Sequence, residues 1–262
     1  MSRLPVTPNR ELGQHFLVDE NILGVIGRLA ELGPDDVVLE IGPGLGVLTE
    51  YLAERVARVR AVELDRGLES ALRERFSDRA NVELVFADAV KLDHAAAEPP
   101  PTKLVANLPY NVATPIVVES LDGLPSVELW TVMVQREVAD RFFARPATKA
   151  YGAVSVLVQL LTERTGLHPV SRNVFRPRPN VESALVAFRR RGGVPTDYAH
   201  VKRVVVGAFA HRRKTLPNSL ELAGTADRDA AARALAHLGM APDVRAEALT
   251  PAQLVQLARV LA

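Results

Sequence analysis

The segment Val105-Ala106-Asn107-Leu108-Pro109-Tyr110 holds the residues of this chain best suited to chemistry. The apolar run that leads into it predicts a buried strand, so the polar residues follow a strand end. Pro109 has a fixed φ and no N–H, which makes the loop stiff. The Asn107 amide oxygen and the loop carbonyls can accept hydrogen bonds from a planar amino group, and Tyr110 can stack on the ring that carries it. Taken alone, the segment also fits a strand end followed by a turn, with Tyr110 in the core.

Three more predicted strands are followed by groups that suit a nucleoside. Val37–Ile41 runs into the glycine turn Gly42-Pro43-Gly44-Leu45-Gly46 and then into a helix. Arg58–Glu63 ends in an acid that can accept hydrogen bonds from both hydroxyls of a ribose. Val82–Phe86 is followed by Asp88, which is placed to accept a hydrogen bond from an adenine amino group.

The order strand, glycine turn, helix, strand is typical of a doubly wound α/β sheet. In such a sheet the groups that follow successive strands meet at one edge, which is where ligands bind. The turn has Val rather than Gly at position 47, so it fits a dinucleotide fingerprint poorly. The pattern therefore predicts a site for a nucleoside that lacks a pyrophosphate.

Two other segments leave alternatives open. Phe175-Arg176-Pro177-Arg178-Pro179 predicts a second stiff loop, in which Phe175 is either a core aromatic beside a turn or a second stacking face opposite Tyr110. Residues 1–11 are polar with two prolines and predict an extended arm. Gly13-Gln14-His15-Phe16-Leu17, before a helix predicted near 20–32, fits either a hydrophobic staple or a flap over a ligand.

The charge is divided unevenly along the chain. Residues 1–135 contain 12 basic and 21 acidic residues, a net charge of −9, whereas residues 136–262 contain 20 and 10, a net charge of +10. A basic half favours a polyanionic partner.

The segment Arg189-Arg190-Arg191-Gly192-Gly193 is typical of a linker, which divides the chain into domains at 1–191 and 192–262. The second domain is predicted to be all-helical, with Arg212, Arg213 and Lys214 at a helix end, where cations complement the dipole or bind phosphate.

Composition excludes several classes of protein. The chain has no cysteine, so a disulfide framework and a thiolate site are excluded. Its six histidines lack metal-ligand spacing, and no metal is predicted. No Gly-x-Ser-x-Gly or Walker motif occurs, which argues against a hydrolase or an ATPase. With no apolar signal-peptide core and no apolar run near 18 residues, we expect no membrane contact and a cytoplasmic location.

Seven motifs, in order along nearly the whole chain, resemble the ribosomal RNA adenine N6,N6-dimethyltransferase family. They are Leu12-Gly13-Gln14-His15-Phe16-Leu17, Glu40-Ile41-Gly42-Pro43-Gly44, Glu63-Leu64-Asp65, Asp88-Ala89, Asn107-Leu108-Pro109-Tyr110, Phe175-Arg176-Pro177-Arg178-Pro179 and Phe209-Ala210-His211-Arg212-Arg213-Lys214-Thr215-Leu216. One departure is His15, where the family usually has Asn.

The resemblance implies a class I, Rossmann-like methyltransferase sheet with a small helical C-terminal domain. It implies S-adenosyl-L-methionine as methyl donor and adenine of small-subunit ribosomal RNA, within a pre-ribosomal particle, as acceptor. The implied cofactor contacts are His15, Leu17, Gly42, Gly44, Glu63, Asp88 and Asn107. The implied catalytic residues are Asn107, Leu108, Pro109, Tyr110 and Phe175, with Arg212, Arg213 and Lys214 on the RNA. We expect a monomer.

Three rival hypotheses share part of this pattern. An Erm-type enzyme would methylate adenine in large-subunit RNA and confer macrolide resistance. An enzyme that methylates protein glutamine or DNA amino groups usually carries Asn-Pro-Pro-Tyr or Asp-Pro-Pro-Tyr, whereas Leu108 stands here in place of the first proline. A non-enzymatic assembly factor would retain the fold without turnover, which the intact Asn107 and Tyr110 pair argues against.

Overall fold

The structure, a computed structural model, describes residues 14–262. The arm predicted over residues 1–11, together with Leu12 and Gly13 of the first motif, lies outside the described residues. The chain divides into two compact units. The first contains the described residues up to Ala139 and Glu163–Arg190, and the second contains Asp140–Thr162 and Arg191–Ala262.

The strands are β1 (Phe16–Leu17), β2 (Val37–Ile41), β3 (Arg58–Glu63), β4 (Val82–Phe86), β5 (Lys103–Asn107), β6 (Leu129–Gln135), β7 (Thr162–Val170), β8 (Phe175–Arg176) and β9 (Ser183–Arg190). Seven of them form one sheet in the order β4-β3-β2-β5-β6-β9-β7, while β1 and β8 form a separate antiparallel pair. The five strands from β2 to β6 are mutually parallel, and β9 runs antiparallel to β6. The predicted α/β sheet is confirmed. No strand was predicted over β7, which lies at the sheet edge.

The helices are α1 (Glu20–Ala30), α2 (Val47–Ala53), α3 (Glu69–Arg75), α4 (Ala113–Gly123), α5 (Arg136–Phe142), α6 (Ala153–Leu161), α7 (Tyr198–Ala210), α8 (Leu216–Leu222), α9 (Arg228–His237) and α10 (Pro251–Val260). Helix α1 lies within the helix predicted near 20–32, α2 follows the glycine turn as predicted, and α7 to α10 match the all-helical prediction for the second domain. Helix α1 starts where Asp19 accepts a hydrogen bond from the Asn21 N–H, at 2.9 Å. Its apolar stripe, with Ile22 and Ile26, packs on β5, β6 and β9.

Strands β2 and β6 are almost wholly buried, so their apolar residues are continuous rather than alternating. Trp130 of β6 is completely buried, stacks on Phe188 at 5.4 Å between ring centroids, and donates a hydrogen bond to the Ser120 hydroxyl at 2.8 Å. This core fixes the sheet from which the site residues project.

In the second unit, α6 packs on α7 and α10. Tyr151 is buried and donates a hydrogen bond to the Leu249 carbonyl at 2.9 Å, and its ring meets that of Phe209 edge-on. Residues 140–162 thus belong with the C-terminal helices, whereas the predicted first domain ran from 1 to 191. The physical reason is that α6 is apolar on most of its surface and is covered by helices that come later in the chain.

Gly46 offers a test of how the first unit is packed. It has φ +79°, and a Cβ there would lie 2.7 Å from the Phe76 ring. Gly46→Ala should therefore lower the free energy of unfolding by about 2 kcal/mol or more, because strain and overpacking act together. Urea unfolding followed by the fluorescence of Trp130, the only tryptophan, reports on this unit.

Gly123, at the end of α4, is the matched control. A Cβ at Gly123 would meet nothing within 4 Å, so Gly123→Ala should leave stability unchanged or raise it by about 0.5–1 kcal/mol. Equal unfolding curves for the two variants would show that a Cβ at Gly46 causes neither strain nor overpacking.

Candidate active site

A cavity of about 1080 Å³, counting its opening to solvent, lies at the carboxyl edge of the parallel strands. The ends of β2, β3, β4 and β5 form its floor, and the segment before α1 forms part of its wall. Ten of the residues predicted for the site line it, namely His15, Leu17, Gly42, Gly44, Glu63, Asp88, Asn107, Leu108, Pro109 and Tyr110. The structure brings these residues together around one space.

The glycine turn after β2 is tightly enclosed. Gly42 has φ +76°, and a Cβ there would lie 3.4 Å from the Pro109 ring. Gly44 has φ +58°, and a Cβ there would lie 3.0 Å from the Phe16 ring. Both positions need the left-handed backbone and the lack of a side chain that glycine provides. The turn therefore contacts the Asn107 loop on one side and the N-terminal segment on the other.

Glu63 at the end of β3 is fixed by backbone donors. Its Oε2 accepts a hydrogen bond from Gly44 N at 3.1 Å, and its Oε1 accepts one from Asp65 N at 2.9 Å. Burial raises the pKa of Glu63, and these N–H groups oppose the increase. The carboxylate is thus held rigidly, with further lone pairs available to hydroxyl groups of a ligand.

Asp88 follows β4 and organises its own turn. Its Oδ1 accepts a hydrogen bond from Val90 N at 3.0 Å, and its Oδ2 lies 3.4 Å from Lys91 Nζ. Val90, and Leu64 after Glu63, are apolar yet 49% and 54% exposed, and both line the cavity. They offer walls for a flat apolar ring beside the two acids. Sequence analysis missed their role, although an apolar residue one or two positions after such an acid was a usable signal.

The Asn107 side chain is oriented by one hydrogen bond. Its Nδ2 donates to the His15 carbonyl at 3.3 Å, which leaves Oδ1 as an acceptor. The Pro109 carbonyl accepts a hydrogen bond from Val112 N at 3.2 Å, so the Leu108 carbonyl is the better candidate for a second acceptor. Leu108 N donates to the Met133 carbonyl at 3.1 Å, which ties the loop to β6.

Tyr110 is held at both ends. Its hydroxyl lies 2.6 Å from Ser183 Oγ, and its ring centroid lies 5.5 Å from that of His15. Burial raises the pKa of Tyr110, so the phenol stays neutral. A neutral, fixed ring suits stacking on a base rather than proton transfer.

The segment at 14–17 is attached to three parts of the first unit. Gln14 Nε2 donates to Asp65 Oδ2 at 2.7 Å, and His15 Nδ1 donates to the Pro177 carbonyl at 2.7 Å. Leu17 pairs with Phe175 in the β1–β8 ribbon. Of the two roles considered for this segment, the structure supports a wall over the cavity.

Phe175 does not have the position expected of a second stacking face. It is completely buried in the hydrophobic core with Leu17 and Val174, and it does not line the cavity. Its partner strand β1 covers it, which is the physical reason. The alternative role, a core aromatic beside a turn, is the one observed.

Glu40 is a site residue that sequence analysis quoted only within a motif. It lies in β2, lines the cavity and is 1% exposed, and its Oε2 has no hydrogen-bond partner among the described residues. Burial raises the pKa of Glu40 to about 8; the Thr49 hydroxyl opposes this shift, and the Glu63 carboxylate adds to it. An acid inside the apolar run Val37–Ile41 was the signal that could have identified it.

The three cations predicted to bind RNA lie in the second unit, in the turn between α7 and α8. Arg212 is engaged within that unit, since its Nη2 lies 3.3 Å from both Glu247 Oε2 and the Lys149 carbonyl. Arg213 and Lys214 are exposed. The His211 N–H donates to Ser219 Oγ at 3.1 Å, which closes the turn that carries them.

Two kinds of feature are absent from residues 14–262. These residues contain no group of three or more His, Cys, Asp or Glu arranged to hold a metal ion. Over the same range, none of the helices has both the length and the apolar character needed to cross a bilayer.

Comparison with known proteins decides the family. The family model described as ribosomal RNA adenine dimethylase matches residues 6–262. The chain belongs to this family. It is 49% identical over 252 residues to a Rubrobacter xylanophilus protein named ribosomal RNA small subunit methyltransferase A, covering 96% of this chain and 94% of that protein.

Two solved structures resemble this dimethylase. A dimethyladenosine transferase from Plasmodium falciparum aligns with TM-score 0.76 and 24% identity, covering 93% of this chain and 96% of that one, which supports the class I methyltransferase fold. The 23S rRNA methyltransferase ErmE aligns with TM-score 0.66 and 31% identity, covering 94% and 99%.

Membership of this family makes the chain a ribosomal RNA adenine dimethyltransferase that uses S-adenosylmethionine. The cavity of this dimethylase fits that cofactor on three observations. The glycines of the turn line the cavity with main chain alone, Glu63 offers fixed acceptors, and Leu64 and Val90 flank the acids. Glu40 adds a buried carboxyl with one unpartnered oxygen, which can accept a hydrogen bond from a ligand.

The pKa of Glu40 leads to a test of stability. The unfolded carboxyl has a pKa of 4.5 and the folded one a pKa of about 8, so between these values only the folded protein holds the proton. Stability should therefore fall as pH rises from about 5 to 8. Glu40→Gln should flatten this dependence, because the amide has no proton to lose. Urea unfolding by Trp130 fluorescence at pH 5, 6.5 and 8 measures it.

Glu74→Gln serves as the matched control, since Glu74 is an exposed acid of α3. Its stability curve should run parallel to that of the wild type over the same pH range. If the stability of Glu40→Gln also varied with pH in parallel with the wild type, Glu40 would be ionised in the folded protein, with other groups offsetting the cost of its burial.

Proposed function

We propose that this chain transfers two methyl groups to the N6 amino groups of each of two adjacent adenosines in small-subunit ribosomal RNA, during ribosome assembly. The observation that carries the proposal is the position of Asn107 Oδ1 and the Leu108 carbonyl at the edge of a nucleoside-sized cavity, beside the ring of Tyr110. The choice of small-subunit RNA is supported by the name and the 49% identity of the relative from Rubrobacter xylanophilus, against 31% for ErmE.

The cofactor is proposed to contact Gly42, Gly44, Glu63, Asp88 and Asn107, with His15 and Leu17 forming the wall. S-adenosylmethionine, when bound, supplies an electrophilic methyl group on a sulfonium. Glu63 would accept from the ribose hydroxyls, and Asp88 would accept from the adenine amino group between Leu64 and Val90. These roles follow from the acceptor chemistry of the carboxylates and from the apolar side chains next to them.

The residues of the Asn107 loop are proposed to position the target amine. Its lone pair is delocalised into the adenine ring, so it is a poor nucleophile until the nitrogen becomes pyramidal. Two acceptors, Asn107 Oδ1 and the Leu108 carbonyl, would hold its two N–H groups and stabilise the positive charge that develops as the N–C bond forms. The amine proton then passes to solvent. The target base must leave its stack, and Tyr110 would stack on it.

The second unit is proposed to bind the RNA backbone through Arg213 and Lys214, with Arg212 contributing when it exchanges Glu247 for phosphate. The net charge of +10 over residues 136–262 supports a polyanionic partner. We further propose a cytoplasmic monomer that acts on a pre-ribosomal particle. In the described chain the exposed large apolar residues are scattered over several elements, which supports a monomer.

The substrate is tested with methyl-labelled S-adenosylmethionine. The purified protein is offered unmethylated small ribosomal subunits, large-subunit RNA and protein substrates, and the labelled RNA is digested to nucleosides. We expect label in N6,N6-dimethyladenosine from the small-subunit RNA. Label in large-subunit RNA would instead make the chain an Erm-type enzyme, and cofactor binding without label would make it an assembly factor.

The acceptor role of Asn107 is tested by substitution. Asn107→Ala removes one acceptor of the developing charge, which should cost about 1–3 kcal/mol in the transition state and lower kcat roughly 10- to 100-fold. Tyr110→Phe is the comparison, because it keeps the stacking ring and loses only the contact with Ser183. It should retain kcat to within a few-fold. Turnover of Asn107→Ala near the wild-type rate would exclude the acceptor role.

A further inference from the structure

The loop at 175–179 lies beside the active-site cavity and carries two cations that the proposed mechanism does not use. Arg176 and Arg178 stand on either side of Pro177, and both are exposed. We propose that these two arginines bind the phosphate backbone of the RNA strand next to the adenine that enters the cavity. This inference rests on the proposed function, since it assumes that the ligand of the cavity is a base in RNA.

The position of the loop is fixed by its contacts with residues that line the cavity. The Pro177 carbonyl accepts a hydrogen bond from His15 Nδ1 at 2.7 Å, and the His15 ring packs on that of Tyr110. Arg176 pairs with Phe16 in the β1–β8 ribbon. The loop is therefore anchored one residue from each arginine to the wall and to the proposed stacking ring.

The loop is also stiff. Pro177 and Pro179 have fixed φ angles, so the backbone that carries Arg178 has little freedom. Phe175, at the start of the loop, is completely buried. Cations on a fixed backbone lose less entropy on binding a phosphate than cations on a mobile arm. This distinguishes the pair from arginines on a flexible tail.

The charges of the loop are available to a ligand. Arg178 forms no ion pair within residues 14–262, and the Arg176 guanidinium contacts only its neighbour's carbonyl, that of Phe175 at 3.2 Å. The nearby acid Glu182 is engaged by Arg172, whose backbone N–H donates to Glu182 Oε2 at 2.9 Å and whose side-chain Nε lies 3.6 Å from Glu182 Oε1. The neighbouring carboxylate therefore does not neutralise the two arginines.

A polyanion needs local cations at this cavity. Residues 1–135, which contain nearly all of the cavity lining, have a net charge of −9, so the surrounding surface repels phosphate. A base that leaves its stack to reach Tyr110 brings its own flanking phosphates to the cavity mouth. Guanidinium groups bind phosphate oxygens in a bidentate fashion and position the backbone without reading sequence. Arg176 and Arg178 supply this chemistry where it is required.

The test measures binding of unmethylated small-subunit ribosomal RNA, transcribed in vitro, over a range of salt concentrations. Arg178→Gln should weaken RNA binding about tenfold at low salt and reduce the slope of log K against log salt by about 0.7–0.9. The double variant that combines Arg176→Gln with Arg178→Gln should change the slope about twice as much as Arg178→Gln alone. Arg178→Lys should retain most of the slope, because the charge remains. The affinity for S-adenosylmethionine should be unchanged in all of them.

Arg28→Gln is the matched control. Arg28 is an exposed arginine near the end of α1, and it forms no ion pair within the described chain. That helix ends at the opposite edge of the sheet from the cavity, where the Glu31 carbonyl accepts a hydrogen bond from Lys103, the first residue of β5. Arg28→Gln removes the same charge from the same unit, and it should leave both RNA affinity and salt slope as in the wild type.

The outcomes separate this inference from the proposed function. If Arg178→Gln and Arg28→Gln bind RNA alike, the loop does not contact phosphate, whatever the enzyme methylates. If the wild type labels large-subunit RNA instead, the same variants are measured on that RNA, and a loss confined to Arg176 and Arg178 still supports the loop contact. Thermal unfolding of each variant confirms that an altered affinity does not come from altered folding.

Discussion

The parallel pairing of β2 with both of its neighbours is the constraint on which the site depends. Because β3, β2 and β5 run in the same direction, the groups that follow them emerge at one edge of the sheet. The contact between Gly42 and the Pro109 ring follows directly, since these residues end adjacent strands. A residue other than glycine at position 42 would strain this turn, because its φ of +76° lies in the left-handed region. The glycine turn and the Asn107 loop are thus packed together as one structure.

Much of this arrangement could be predicted from local sequence. Short apolar runs that end in glycine, acid or amide specify parallel strands and their polar ends, so Gly42, Glu63, Asp88 and Asn107 were placed correctly at the cavity. The residues that escaped prediction depend on distant partners. Phe175 is buried because Leu17 pairs with it, and α6 joins the second unit because later helices cover it. β7 is largely polar and exposed, and it becomes a strand only beside β9.

Two buried acids, Glu40 and Glu63, determine the electrostatics of the cavity, and composition alone does not reveal this. Glu63 is held by N–H donors, whereas Glu40 is buried with one oxygen unpartnered. Burial raises the pKa of Glu40, and the nearby Glu63 carboxylate adds to this increase. A positively charged ligand beside Glu40 would favour the ionised form of this carboxyl and so lower its pKa.

The β1–β8 ribbon determines when the cavity can be completed as the chain is made. The floor is complete in sequence once Tyr110 has been synthesised, but the wall at residues 14–17 has its partners at Val174, Phe175 and Pro177. Because synthesis proceeds from the N-terminus, the wall has to wait for more than sixty further residues before it can close. The cavity therefore stays without this wall until the residues around Phe175 have been made.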